Sequence, residues 1–137
     1  MKFVVDTNVL ISALLKNSVS RMLIIELNED FYSPDFLEIE IEKHKGTILE
    51  KSGLSEVELN NILTLLLDKI LVAPEETYRT ELEQATEILG DTDIKDVPFL
   101  ALAIKKDAYI WSDDGDFEEQ DLVEVWKTKK MVEHFFK

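Results

Sequence analysis

Apolar residues along the chain fall into two alternating patterns. Short runs rich in β-branched and aromatic residues predict buried strands, at residues 2–5, 31–32, 70–73, 108–111 and 122–126. Between these runs, apolar residues recur at three- and four-residue spacing and predict helices, among them 9–15, 21–27 and 80–89. Because strands and helices alternate throughout, we expect an α/β fold. The pattern favours a three-layer α/β/α sandwich with a mostly parallel, roughly five-stranded sheet.

Capping residues predict where individual helices begin. Ser20 is the expected N-cap of helix 21–27, and Thr128 that of a C-terminal helix. Ser33 and Pro34 predict the start of another helix, with serine as N-cap and proline at the first helical position. Ser55 begins a capping box with a glutamate three residues later.

Length and composition limit the class of protein. The 137 residues suit a single domain, residues 1–137, and the 45% hydrophobic content is enough for a core. The chain contains no cysteine, which excludes disulfide scaffolds, iron–sulfur clusters and thiol nucleophiles. No signal-peptide pattern is present, and no apolar stretch approaches the roughly 20 residues of a membrane span. We therefore expect a cytoplasmic protein that does not contact membranes.

Acidic residues dominate the charge, which is formally −14. Residues 91–121 hold ten acids against three lysines. Such oxygen-rich clusters suit hard divalent cations, although most acids in most proteins are solvated surface. With only two histidines, His44 and His134, both taken as surface or rim groups, the chemistry is expected to rest on carboxylates. Trp111 and Trp126 lie in apolar runs and are expected in the core.

Four carboxylates are predicted to meet at one edge of the sheet. Asp6 ends the first strand, and Asp114 follows strand 108–111. Asp96 begins the helix that leads into that strand, with Glu40 on the helix after strand 31–32. Ligands of parallel sheets bind outside the carboxyl ends of the strands. Converging carboxylates repel one another unless a cation neutralises them, so we expect a Mg²⁺ or Mn²⁺ site able to hydrolyse phosphodiesters.

Three motifs in order carry a family resemblance. They are Val-Val-Asp-Thr-Asn-Val-Leu at 4–10, Asp-Ile-Lys-Asp-Val-Pro-Phe-Leu-Ala-Leu-Ala at 93–103, and Trp-Ser-Asp-Asp-Gly-Asp-Phe at 111–117. The whole chain resembles the PIN-domain ribonucleases, the family of the VapC toxins. The resemblance implies a PIN-like fold and a metal-dependent endoribonuclease that cuts single-stranded RNA. It also implies a homodimer and, if the protein is a toxin, a cognate antitoxin as partner.

Residue by residue, the resemblance implies roles for eight side chains. The catalytic and metal-binding set is Asp6, Glu40, Asp96 and Asp114, with Asp93 and Asp116 as auxiliary metal ligands. Glu38 is the alternative to Glu40, because the glutamate-rich helix permits a shift of register. Asn8 and Ser112 are expected to orient the carboxylates through hydrogen bonds, with Ser112 standing where the family usually has threonine.

Two other classes of function remain open from the sequence. One is a non-catalytic module that keeps the fold as a binding surface. The other is an aspartyl-phosphate phosphatase or receiver-type domain. It fits less well, because Asn8 replaces the second aspartate of the phosphatase motif and Pro74 follows the third strand.

The acidic balance argues against strong non-specific binding of nucleic acid, whose affinity normally comes from Lys and Arg at phosphates. RNA binding would therefore need a local basic strip, a dimer or a partner. The candidate strip is Lys16, Arg21, Lys43 and Lys45.

Overall fold

A five-stranded parallel sheet forms the centre of the molecule. The computed structural model describes residues 1–15, 18–90 and 94–136. The strands are β1 (Lys2–Val5), β2 (Asp30–Pro34), β3 (Ile70–Ala73), β4 (Tyr109–Trp111) and β5 (Val125–Trp126). Their order is β3-β2-β1-β4-β5, and every neighbouring pair is parallel. Phe3 of the central strand pairs with Phe31 on one side and Tyr109 on the other. The predicted parallel sheet is confirmed.

Helices cover both faces of this sheet. Those in the described ranges are α1 (Thr7–Leu14), α2 (Val19–Glu26), α3 (Phe36–Ser52), α4 (Glu56–Lys69), α5 (Glu75–Tyr78), α6 (Leu82–Leu89), α7 (Val97–Lys106) and α8 (Thr128–Phe135). Short 3₁₀ turns lie at Arg79–Glu81, Ile94–Asp96 and Gly115–Glu119.

Each face of the sheet has its own hydrophobic core. Successive side chains of a strand point to opposite faces, so Phe3 and Val5 pack on one side and Val4 on the other. The first core joins α1, α2, α3, α4 and α8, and the second joins α5, α6 and α7. These two cores make the predicted three-layer α/β/α sandwich, which is confirmed.

Local end signals are well formed around α3 and α4. Gly53 ends α3 with a φ of 70°, a conformation that favours glycine. Ser55 accepts a hydrogen bond from the Glu58 amide, and the Glu58 carboxylate accepts one from the Ser55 amide. The predicted capping box is therefore present.

Three capping predictions were wrong. The N-cap of α2 is Ser18, whose hydroxyl accepts from the Arg21 amide, and Ser20 lies buried inside the helix. Ser33 and Pro34 belong to β2 and begin no helix, since α3 starts at Phe36 after Asp35. Thr128 is the first residue of α8 and makes no cap, because its hydroxyl donates to Asp113 instead.

The edge strands differ from their predicted form. Leu71 of β3 is 56% exposed, because β3 is an edge strand. The expected strand 122–126 is reduced to the two residues of β5. Helix α5 carries no strong periodic signal and was not predicted.

No single helix in the described ranges is long and apolar enough to cross a membrane. The bent pair α1 and α2 reaches that length and apolarity only when the two helices are taken together.

Candidate active site at the carboxyl ends of the strands

The four predicted carboxylates line one cavity, which we call the acid pocket. It has a volume of about 160 Å³ and includes Asp6, Glu40, Asp96 and Asp114. The remaining lining residues are Thr7, Asn8, Phe36, His44, Lys95, Phe99 and Asp116. A larger cavity of about 660 Å³ lies near the amino ends of β1 and β4, and none of these carboxylates lines it. The sheet topology thus brings together side chains from residues 6 to 116.

Asp6 occupies the most buried position among these carboxylates and is 5% exposed. It follows β1, and its amide donates to the Trp111 carbonyl at 3.0 Å, which ties it to the end of β4. Burial raises the pKa of Asp6 to about 6, and the negative charge of Asp114 adds to this rise. The hydrogen bond from Ser112 and the nearby amides of Thr7 and Asn8 oppose the rise only in part.

Ser112 connects Asp6 to the acidic turn after β4. Its hydroxyl donates to the Asp6 carboxylate at 2.8 Å and accepts from the Asp114 amide at 3.1 Å. The Asp116 amide in turn donates to the Asp114 carboxylate at 3.1 Å. The predicted orienting hydrogen bond from Ser112 is present in this form.

Glu40 reaches the acid pocket from α3, whereas Glu38 does not line it. Glu40 is 9% exposed, although its apolar neighbour Ile39 is 65% exposed. Successive helical residues are about 100° apart, so a shift of two residues moves a side chain to the other side of the helix. His44 lies one turn further, half-buried, with its Nε2 3.7 Å from the Glu40 carboxylate.

Asp96 enters the acid pocket from the start of α7. It stands at the N-cap position, as predicted, but its side chain makes no capping hydrogen bond. Pro98 follows in the first turn. Asp93, the second predicted acid of this motif, lies outside the described residues.

Two residues beside Asp6, Thr7 and Asn8, also line the acid pocket. Asn8 is exposed at the rim, and its orienting role stays a prediction. The buried Thr7 hydroxyl has no hydrogen-bond partner among the described residues, and Thr7 lines the acid pocket. The sequence analysis did not predict that Thr7 and Lys95 line the acid pocket, or that His44 lies beside Glu40. The only signal for these residues was their closeness in sequence to the motif acids.

A PIN-domain family model matches residues 4–135. The chain belongs to the PIN-domain family. Its fold is shared with VapBC2 from Rickettsia felis bound to a DNA fragment from its promoter, at 18% identity and a TM-score of 0.67. It is also shared with FitAcB from Neisseria gonorrhoeae, at 20% identity and a TM-score of 0.64. Each match covers 93% of this chain and 98% of the other. No curated protein matches the sequence.

The donor set of this PIN domain suits a hard divalent cation by chemistry. All four motif side chains in the acid pocket offer carboxylate oxygens. Burial is the main cause of the raised pKa of Asp6, and the negative charge of Asp114 adds to it. Across the described ranges, however, no three His, Asp or Glu side chains are spaced to hold one ion. The donor types fit Mg²⁺ or Mn²⁺, and the side chains would have to move together to bind it.

Two members of the candidate basic strip of this PIN domain have partners within the protein. Arg21 donates to the Ala13 and Leu15 carbonyls at 2.7 and 2.6 Å, where it completes the end of α1. Lys45 pairs with Glu56 at 2.9 Å. Lys16 lies outside the described residues. Two of the four candidate cations are thus engaged in holding helices together.

Proposed function

We propose that this PIN domain is a divalent-metal-dependent endoribonuclease that hydrolyses the phosphodiester bonds of single-stranded RNA. The observation that carries the proposal is the convergence of Asp6, Glu40, Asp96 and Asp114 on the acid pocket. Carboxylates grouped without full compensation favour a cation, and hard cations with phosphate esters are the chemistry that such sites perform. Membership of the PIN family supports a nuclease.

The four carboxylates would hold Mg²⁺ or Mn²⁺, with Asp116 and Asp93 as auxiliary ligands. Such an ion, when bound, acidifies water and offsets the negative charge of a phosphodiester. Ser112 holds the Asp6 carboxylate in place through its 2.8 Å hydrogen bond. The same hydroxyl fixes the turn that carries Asp114. One serine therefore positions two of the proposed ligands.

We further propose that the protein is the toxin of a toxin–antitoxin pair, acting in the cytoplasm as a homodimer. The likeness of the fold to VapBC2 supports an antitoxin protein as its partner. A partner that covers the acid pocket would keep the nuclease inactive until it is released.

The direct test is cleavage of a mixed set of labelled single-stranded RNAs by the purified chain. We expect cleavage with Mn²⁺ or Mg²⁺, none with EDTA, and none by Asp96→Asn. Asp121→Asn is the matched control, since Asp121 is an exposed aspartate outside the acid pocket. Equal cleavage by Asp96→Asn and the unmodified chain would reject the proposal.

One observation favours a second candidate, a non-catalytic PIN-fold binding module. Among the described side chains, no three ligands are spaced for an ion. No cleavage together with no binding of millimolar Mn²⁺ would support this module. Membership of the PIN family argues against the aspartyl-phosphate alternatives.

A further inference from the structure

A second cavity adjoins the acid pocket between α1 and α3, and we call it the α1–α3 groove. It has a volume of about 190 Å³. Its lining residues are Asn8, Ile11 and Leu15 from the α1 side and His44, Thr47, Ile48 and Lys51 from α3. Asn8 and His44 also line the acid pocket, so the two cavities are adjacent.

The α3 side of the groove follows one face of the helix. Glu40, His44, Ile48 and Lys51 are four, four and three residues apart, which places them along one line. At a rise of 1.5 Å per residue, the line from Glu40 to Lys51 is about 16 Å long. Stacked nucleotides rise about 3.4 Å each, so this path could accommodate a few nucleotides.

The charge of the groove is opposite to that of the acid pocket. Among the described residues that line it, the two ionisable ones, His44 and Lys51, are basic and none is acidic. In the part of the chain that the structure describes, Lys51 forms no ion pair, whereas Lys45 on the same helix is paired with Glu56. A cationic, partly apolar path is uncommon surface on a chain of charge −14. Its charge complements a polyanion.

The apolar wall of the groove complements a base. Ile48 is buried, and Ile11 and Leu15 are partly exposed along the opposite side. Single-stranded nucleic acids bind in positively charged grooves that follow the backbone, and their bases lie against side chains that are most often aromatic. Here Lys51 and His44 are the basic residues, and the surface offered to a base is aliphatic.

We propose that the α1–α3 groove binds the nucleotides of single-stranded RNA that adjoin the scissile phosphodiester. A base lies against Ile11 and Leu15, and Lys51 contacts a backbone phosphate. The inference rests on the proposed nuclease function. It adds to that function the path that the RNA strand follows as it leaves the acid pocket.

The first test measures binding without cleavage. Full-length chain carrying Asp96→Asn, with Mn²⁺ present, is titrated into a fluorescent single-stranded RNA of about 12 nucleotides, and anisotropy is followed. Adding Lys51→Gln should weaken binding roughly threefold and Lys51→Glu roughly tenfold. The logarithmic salt dependence should become shallower by about 1 for the loss of one phosphate contact.

Matched controls separate this role from a structural one. Lys69 is an exposed lysine in the last turn of α4, as Lys51 is in the last turn of α3, and it lies away from the groove. Lys69→Gln and Lys69→Glu remove the same charges near a helix end and should leave RNA affinity unchanged within about twofold. Thermal unfolding of all four variants checks that the fold is retained.

The second test uses cleavage by chains with Asp96 intact. Lys51→Glu should raise KM for the RNA about tenfold with little change in kcat, because Lys51 lies far from the reacting phosphate. Bis(4-nitrophenyl) phosphate is too short to reach the groove, so the ratio of kcat/KM for RNA to that for this ester should fall about tenfold.

The outcomes distinguish the two proposals. Absence of cleavage by the unmodified chain rejects the nuclease, while the anisotropy titration still decides the groove. RNA affinity that is unaffected by Lys51→Glu overturns the groove proposal, as does failure of the Asp96→Asn chain to bind the RNA. In either case the groove would be left to a protein partner.

Discussion

The fold fixes the backbone of Asp6 in a buried position that disfavours its ionised side chain. Its amide donates to Trp111 and its carbonyl accepts from Val9 and Leu10, so the backbone is fixed between β1 and α1. Its carboxylate is consequently held in a buried place beside Asp114, where burial raises its pKa to about 6. Without a cation, these surroundings destabilise the ionised carboxylate of Asp6.

This conflict predicts a stability gain on neutralising Asp6. Between pH 3.8 and about 6, the folded state binds more protons than the unfolded state, so stability falls as pH rises through this window. Above it the full cost applies, on the order of 3 kcal/mol at 1.36 kcal/mol per pKa unit. Asp6→Asn should therefore raise the free energy of unfolding by about 1–3 kcal/mol at pH 8 in EDTA, measured with urea.

The gain should shrink towards zero at pH 4, where the unmodified Asp6 is protonated in the folded state. Asp121→Asn, at an exposed site, provides the control. A less stable Asp6→Asn chain at pH 8 would contradict the burial argument.

The choice between Glu40 and Glu38 leads to a second prediction. Glu40→Gln should lower cleavage at least about 100-fold, because a proposed ligand loses its charge. Glu38→Gln makes the same change on the exposed side of α3 and should leave cleavage within about twofold. Initial rates of cleavage of one labelled RNA measure both variants. Similar losses of activity in the two would mean that Glu40 is not specifically the ligand.

At the scale of elements, β2 shows why a local signal can mislead. Ser33 and Pro34 suit the start of a helix, yet they pair with Val72 and Ala73 of β3. The buried Ser33 hydroxyl donates to the Val5 carbonyl at 3.1 Å. Only the neighbouring strands decide between the two states, and their positions are not encoded in the local sequence.

Helix α8 is capped by a residue distant in sequence. The Asp113 carboxylate accepts from the Thr128 amide at 2.8 Å and from its hydroxyl at 2.6 Å. The same hydroxyl accepts from the Trp111 indole at 3.0 Å. The turn after β4 thus holds the start of α8, a role that local capping rules assign to Thr128 itself.

We expect Asp113→Ala to lower the free energy of unfolding by about 1 kcal/mol, the usual cost of a lost N-cap. Asp121→Ala removes an exposed aspartate from the same acidic region and should have no such effect. Urea unfolding of both variants tests this, and equal stability would mean that the cap contributes nothing.

The sequence predicted the site residues best where acidic residues directly follow predicted strands. Asp6 and Asp114 follow strands, and carboxyl ends of parallel strands meet at one edge, so their convergence could be predicted. The sequence could narrow the helix-borne ligand only to Glu40 or Glu38. The burial pattern gives no guide here, because the apolar Ile39 is exposed and the charged Glu40 is buried. Helix α5 and the Asp113 cap depend on tertiary contacts and carry no periodic or motif signal.

At the scale of the whole molecule, we expect the excess negative charge and the acid pocket to make stability sensitive to divalent ions. Mn²⁺ at about 100-fold above its Kd should stabilise the fold by about 2.7 kcal/mol, because binding favours the folded state. The Tm of a chain this size should rise by roughly 5–10 °C. Differential scanning calorimetry with Mn²⁺ and with EDTA measures the shift.

Screening of the −14 charge must be separated from binding in the acid pocket. NaCl at the same ionic strength should raise Tm much less, and Asp114→Asn should remove most of the Mn²⁺ effect. A shift of equal size with NaCl would mean that the ion only screens the surface.

The parallel order of the sheet also sets when the molecule becomes complete. β1 lies at the centre, but its partner β4 is made more than 100 residues later. Asp96 and Asp114 therefore join Asp6 and Glu40 only after β4 has been made. At about 5–20 residues per second, a growing chain that already holds β1, β2 and β3 waits several seconds for the rest of its pocket. On the proposed function, an unfinished copy cannot cut the message from which it is being translated.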